Sequence, residues 1–301
     1  MRKYLKLRLM VAILAVSCII SACGKKEENK DEVAVENVNT TVDITEAPKI
    51  TEDSKLYDDF IRGEAKVKYM GDKGIRSFYV NFTELCMVNQ SYSIDQIKEL
   101  IEKSRNKVSA EIVYERIDCG SDGVAELLVT IPLVTTDLYM IMKDVNGELV
   151  LCYTGDYIDN VTLTINHDGT ICKSVDDEGI IDITEYSLVD ADGNYKFYYG
   201  LRKTTTYYTD YTVYRGTAKT VVPPDGIDSE HVAINDYYFE NDLHYISYSI
   251  LDDDHNDITT DADFEDSNEV KKHFAQYGVT TYSPKEIEDI LNNRATEIGK
   301  K

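Results

Sequence analysis

The chain has 301 residues, 55 acidic against 32 basic, for a formal net charge of −23. That excess excludes binding to nucleic acid or anionic lipid through a broad basic surface; it suits cationic partners or divalent ions, or simply a solvated acidic exterior. There is no tryptophan but there are 23 tyrosines, rings that suit half-buried strands with one apolar and one wet end.

The first residues read in three parts. Arg2, Lys3, Lys6 and Arg8 give a positive start, residues 9–20 form an apolar run broken only by Ser17, and Ser21 and Ala22 stand just before Cys23. These are the parts of a secretory signal peptide. The apolar run is about a dozen residues, short of the roughly 20 that a membrane-spanning helix needs. Ile20-Ser21-Ala22-Cys23 followed by Gly24 resembles the lipobox of bacterial lipoproteins. The resemblance implies cleavage before Cys23, a diacylglyceryl group (palmitate or a similar chain) on its thiol, and anchoring of the mature chain on the extracytoplasmic face of the cell membrane. Two acyl chains hold far more firmly than the marginal binding of one, at about 0.8 kcal/mol per buried methylene. Without residues 1–22, 28 basic residues face 55 acidic ones.

Residues 23–52 hold scattered acids, Thr and Asn and no aromatic ring. They are expected to be a disordered tether with a reach on the order of 30 Å. Residues 53–301 are long enough for one large domain or two small ones; Pro223-Pro224-Asp225-Gly226 marks a possible subdomain break near 216–230.

Leu56, Phe60 and Ile61 share a face in 54–62, closed by Gly63, and residues 78–82 have strand composition. Ser93 and Gln96 are spaced as a capping box before an apolar stripe of Ile94, Ile97, Leu100 and Ile101, which predicts a helix to about 107. Strands at 110–117 and 127–134 enclose an acidic loop, with Pro132 weakening the end of the second. Strand pairs follow at 138–143 and 148–153, 161–165 and 170–174, and 180–188 and 195–200. They turn at Asn146-Gly147, Asp168-Gly169 and Asp192-Gly193, which accept the positive φ of tight hairpins. Further strands are expected at 207–215 and 237–251. Ser283, Pro284 and Glu286 start a final helix with Ile287, Ile290 and Leu291 inward. The expected fold class is α+β: mostly antiparallel sheet, a hairpin meander, with helices near both ends.

The acidic loop is the leading candidate site. Asp118, Asp122 and Glu126 offer hard oxygens of the kind calcium takes. Asp118, Asp122, Gly123, Glu126 and Leu127 resemble the Asp-x-Asp-Gly-Asp-Gly-x-x-Glu-Leu strand–loop–strand of surface lipoproteins and calcium-loop repeats, and calcium is what the resemblance implies. Gly120 stands where that pattern has its second aspartate. The other reading is a tight connection in which Asp and Gly serve turn geometry and cap backbone N–H groups. The run Asp252 to Asp257 echoes an EF-hand loop but has Asp257 where the glycine belongs, so a solvated hairpin tip is expected.

Cys86, Cys119, Cys152 and Cys172 form no Cys-x-x-Cys motif. In a single meander the 161–165 strand separates Cys152 from Cys172 by roughly 9–10 Å, too far for a disulfide; buried free thiols are the expectation. The five histidines are scattered, and no Gly-x-Ser-x-Gly elbow, His-Glu-x-x-His motif or phosphate loop is present. These observations point to a lipid-anchored, non-catalytic surface module that binds an envelope protein or glycan. The alternative is a surface glycoside or peptidoglycan hydrolase working with a carboxylate pair. A transporter's solute receptor ranks third, since alternating βαβ units are not visible.

Overall fold

Side chains that bond the first free N–H groups of a helix fix where each described α-helix begins. The structure is a computed structural model that describes residues 49–71, 80–157, 161–177, 181–204, 211–215, 217–221, 229–240 and 243–300. The expected signal peptide and nearly all of the expected tether lie outside these residues. So do 222–228, at the centre of the expected subdomain break.

Ser54 caps α1 (Lys55–Ile61) and Asn81 caps α2 (Phe82–Leu85). The Ser93–Gln96 capping box opens α3 (Ile94–Lys103), and Asn268 caps α4 (Glu269–Gln276). The Ser283–Glu286 box opens α5 (Pro284–Ile298), and Gly299, at φ 74°, ends it. Two expectations are corrected. Phe82 begins a helix instead of ending a strand, because the Asn81 side chain accepts the Thr83 N–H. The α3 helix stops short of 107, with Arg105 at φ 70°.

The strands form two six-stranded sheets and a ribbon. The first sheet runs β2 (Ser91–Tyr92), β1 (Val67–Lys68), β6 (Glu148–Gly155), β5 (Asp137–Val145), β4 (Glu126–Pro132), β3 (Val113–Ile117). The second runs β14 (Leu243–Ile250), β13 (Val232–Phe239), β10 (Tyr195–Thr204), β9 (Ile181–Val189), β8 (Thr170–Asp177), β7 (Val161–Ile165). The ribbon pairs β11 (Tyr211–Arg215) with β12 (Thr217–Val221). Pairing is antiparallel throughout except between β1 and β6. The α+β class, mostly antiparallel with helices near both ends, is therefore the observed architecture. The single meander is not. The chain leaves the first sheet after β6 and starts the second at β7, and the stretch expected as one strand at 237–251 is the β13–β14 hairpin.

The change of sheet also corrects the account of the cysteines. Cys152 and Cys172 sit on β6 and β8 of different sheets, not on two strands flanking a third. All four described cysteines are free thiols. Burial pushes Cys86 up to about 11 and Cys119 further still.

Period-two alternation gives the first sheet two apolar faces. Leu127, Val129, Ile131, Met140 and Met142 pack under α1 and α3, against Tyr57, Phe60, Ile97 and Ile101. Leu128, Ile141 and Tyr153 face the other way, onto Leu163, Ile171 and Val189 of the second sheet. The far side of the second sheet carries α5, through Leu188, Tyr198 and Ile298. Its near side is covered at the β13–β14 end by α4, where Tyr248 stacks on Phe264 at 4.5 Å and Phe274 at 5.9 Å. Residues 45–301 cluster as one compact unit. Among the described residues no helix is long and apolar enough to cross a membrane.

Tyrosines replace tryptophan as the large buried rings. Tyr57 is wholly buried; its hydroxyl donates to the Ala125 carbonyl at 2.7 Å and accepts from the Asp144 N–H at 3.0 Å. Burial holds the phenols of Tyr57, Tyr153 and Tyr199 well above the ordinary value and pushes Tyr139 up to about 12. These groups stay neutral in the fold, while in the unfolded chain they ionise near pH 10, so stability is intact below about pH 10 and falls as pH rises beyond it. Thermal melts from pH 8 to 11 are expected to show that loss; a melting temperature that stays level across this range would contradict it.

Candidate functional site

The sequence placed its candidate ligands on the loop between β3 and β4, and the structure gives each of them a different task. Asp118 is buried, and its carboxylate accepts the N–H groups of Asp122 at 2.9 Å and Gly123 at 3.0 Å. Asp122 accepts the Val124 N–H at 2.9 Å. The Asp122–Val124 contact is an Asx turn, and Asp118 reaches four and five residues on to close the loop; in each a short carboxylate stands in for a backbone acceptor. Gly120 takes φ 77°, and a Cβ there would lie 2.7 Å from the Ala191 nitrogen. No other residue fits that approach.

Glu126 is 0% exposed. One oxygen accepts the Cys119 N–H at 2.7 Å and the other is paired with the Lys143 ammonium on β5. Burial raises Glu126 above the usual carboxylate range against the opposing pull of Lys143; Lys143, despite its own burial, is held up by Glu126 and stays charged. Lys143 is the functional partner that a reading for metal ligands passes over. The signal was available: Lys143 is the fourth residue before Gly147, which places it opposite Glu126 once the β4–β5 register is known.

Three carboxylates were expected to converge on a cation, and the structure turns them apart. Among the described residues no group of three or more His, Cys, Asp and Glu side chains stands so as to hold a metal ion. The loop's oxygens face backbone N–H groups and an ammonium, so the residues do not fit calcium. The Asp252–Asp257 run is a hairpin tip, with Asp252 accepting from the N–H groups of Asp254 and Asn256.

The loop is one wall of a cleft. Its backbone docks on the β7–β8 turn, with the Asp118 N–H on the His167 carbonyl at 2.8 Å and the Gly120 N–H on that of Asp168 at 2.9 Å. Gly120 and Ser121, Asp168 and Thr170, the β9–β10 turn from Asp190 to Asp192, and the end of α5 enclose about 290 Å³. Asp190 accepts the N–H groups of Asp192 and Asn194 and pairs with Lys196 at 3.2 Å. Lys196 also reaches the Ile298 carbonyl at 3.4 Å, at the electronegative end of α5. Although burial works to raise Asp190, the Asn194 N–H and Lys196 prevail and hold it below the usual carboxylate value. Asp192 is exposed on the rim, so the cleft presents a fixed acidic edge.

Lys143→Met leaves a carboxylate unpaired in the interior and is expected to cost about 3–5 kcal/mol in urea unfolding. The Glu126→Gln, Lys143→Met double variant is expected to recover most of it. A single-variant cost below about 1 kcal/mol would show that the pair does not hold the loop. Melting in chelator and in millimolar calcium is expected to coincide; an upward shift with calcium would restore the ligand reading.

No protein-family model, no curated protein and no solved structure matches this chain.

Proposed function

We propose that the chain is an extracytoplasmic lipoprotein, held in the cell membrane by acyl chains on Cys23, whose folded body is a non-catalytic binding module for an envelope partner. The address rests on the Ile20-Ser21-Ala22-Cys23 lipobox. The binding reading rests on one observation: Glu126 and Asp190, the two carboxylates near the cleft whose acidity is shifted, are held in roles that acid–base work does not allow.

A carboxylate-pair hydrolase needs one acid with a raised pKa that its substrate can reach. Glu126 is raised but fully enclosed and held by Lys143. Asp190 lines the cleft but is held ionised. A rim of rigid turns with carboxylate edges instead suits a lysine or arginine side chain presented by a basic partner surface, and the net charge of −23 steers such a partner toward it.

Mass spectrometry of the mature protein is expected to find an acylated Cys23 at its N-terminus, and Cys23→Ser is expected to release the chain from the membrane fraction. A bare thiol or a retained leader overturns the anchor. Hydrolysis of peptidoglycan or polysaccharide by the native chain, lost in Asp168→Asn or Asp192→Asn, overturns the binding reading in favour of the enzyme.

A further inference from the structure

The near face of the second sheet carries a polar strip between two apolar contacts. The strand registers set Glu185, Gly200, Tyr238 and His244 in one row across β9, β10, β13 and β14. Arg202 and Asp236 stand in the next row on the same face. Beyond one end of these rows the first sheet packs on Leu163, Ile171 and Val189; beyond the other, α4 packs on Ile246 and Tyr248.

Each group in this strip has a fixed place. The Tyr238 ring lies flat over Gly200, where a Cβ would come within 2.0 Å of Cζ. Its hydroxyl donates to Glu185 at 2.9 Å, and its ring stacks beside Phe197 and lies beside His244, each at 6.1 Å. Asp236 is 1% exposed and its Oδ1 meets His244 Nδ1 at 2.8 Å. With Asp236 as the acceptor, Nδ1 is the donor and Nε2 lies on the side of the ring away from Asp236.

Arg202 is the odd group. It lies in register with Asp236, but Asp236 turns to His244 instead. Glu185 is taken by Tyr238 and Lys173. Among the described residues no ion pair reaches the Arg202 guanidinium, and its buried Nε–H has no acceptor. A buried donor without a partner is costly. An arginine that no described carboxylate pairs with is open to an anion from elsewhere. A guanidinium is the donor that matches carboxylate and phosphate in a two-bond fork.

We propose that this polar strip binds an acidic saccharide. Arg202 takes the oxyanion, a carboxylate or phosphate on the sugar. The apolar face of the sugar ring lies on Tyr238, and His244 Nε2 bonds a ring hydroxyl. Asp236 and Gly200 are positioning residues: one orients the imidazole and the other makes room for the tyrosine ring. This site is separate from the acidic cleft, and it stands or falls independently of the anchor.

The test is calorimetric titration of the full chain with glucuronic acid, glucose 6-phosphate, glucose and inorganic phosphate. At least one acidic sugar is expected to bind about tenfold or more tightly than glucose, and which of the two binds identifies the oxyanion. Arg202→Gln is expected to lose about tenfold or more with its melting curve unchanged, and Arg202→Lys, which keeps the charge without the fork, to fall between. If Arg202→Gln does not fold, Arg202→Lys and His244→Gln carry the comparison. The proposal is overturned if neither acidic sugar binds below about 10 mM, or if the Arg202 variants bind as well as the native chain. It is also overturned if inorganic phosphate alone binds as tightly as the phosphorylated sugar.

Discussion

The contact on which the rest of this structure depends is the pair formed by Glu126 and Lys143, with the Cys119 N–H as third member. Glu126 closes the loop after β3, and that loop is what reaches across to the turns of the second sheet. A carboxylate with no exposure at all is tolerable only when an ammonium and a backbone donor satisfy it. The loop geometry, the docking of the two sheets near the cleft and the shape of that cleft all descend from this one satisfied charge.

Tight turns and caps were legible in the sequence because their chemistry is local. Asn146 and Gly147 take φ 56° and 86° as a two-residue hairpin demands, and the Ser93 and Ser283 boxes open their helices where the spacing places them. The change of sheet between β6 and β7 was not legible. Alternating apolar residues say that a strand has a buried face but not which sheet covers it. The β13–β14 hairpin was passed over because apolar and aromatic residues run along both of its strands. Reading 237–251 as one strand hid the register that brings Asp236 to His244.

The acidic loop shows why residue type alone misleads about metals. Asp, Gly and Glu at these spacings are required both by a calcium loop and by a loop that satisfies its own N–H groups. What separates the two is where the oxygens point, and here backbone donors and Lys143 take them. In the same way, the scattered histidines gave no signal, because a His–Asp contact between neighbouring strands leaves no fixed spacing in the chain.

The N-terminal edge of the folded body has a mechanical consequence. Thr51 and Glu52 both donate N–H bonds to the Gly123 carbonyl, and Ala125 donates back to Glu52, a parallel bridge onto the residues just before β4. A pull on the chain from that side therefore enters the protein through these few bonds and runs directly into the strand that bears Glu126. Because the bridge is parallel, tension along it loads its bonds in shear, together, instead of peeling them one at a time. Such a load meets the strand that carries Glu126, held by Lys143 and the Cys119 N–H, before it reaches the rest of the first sheet.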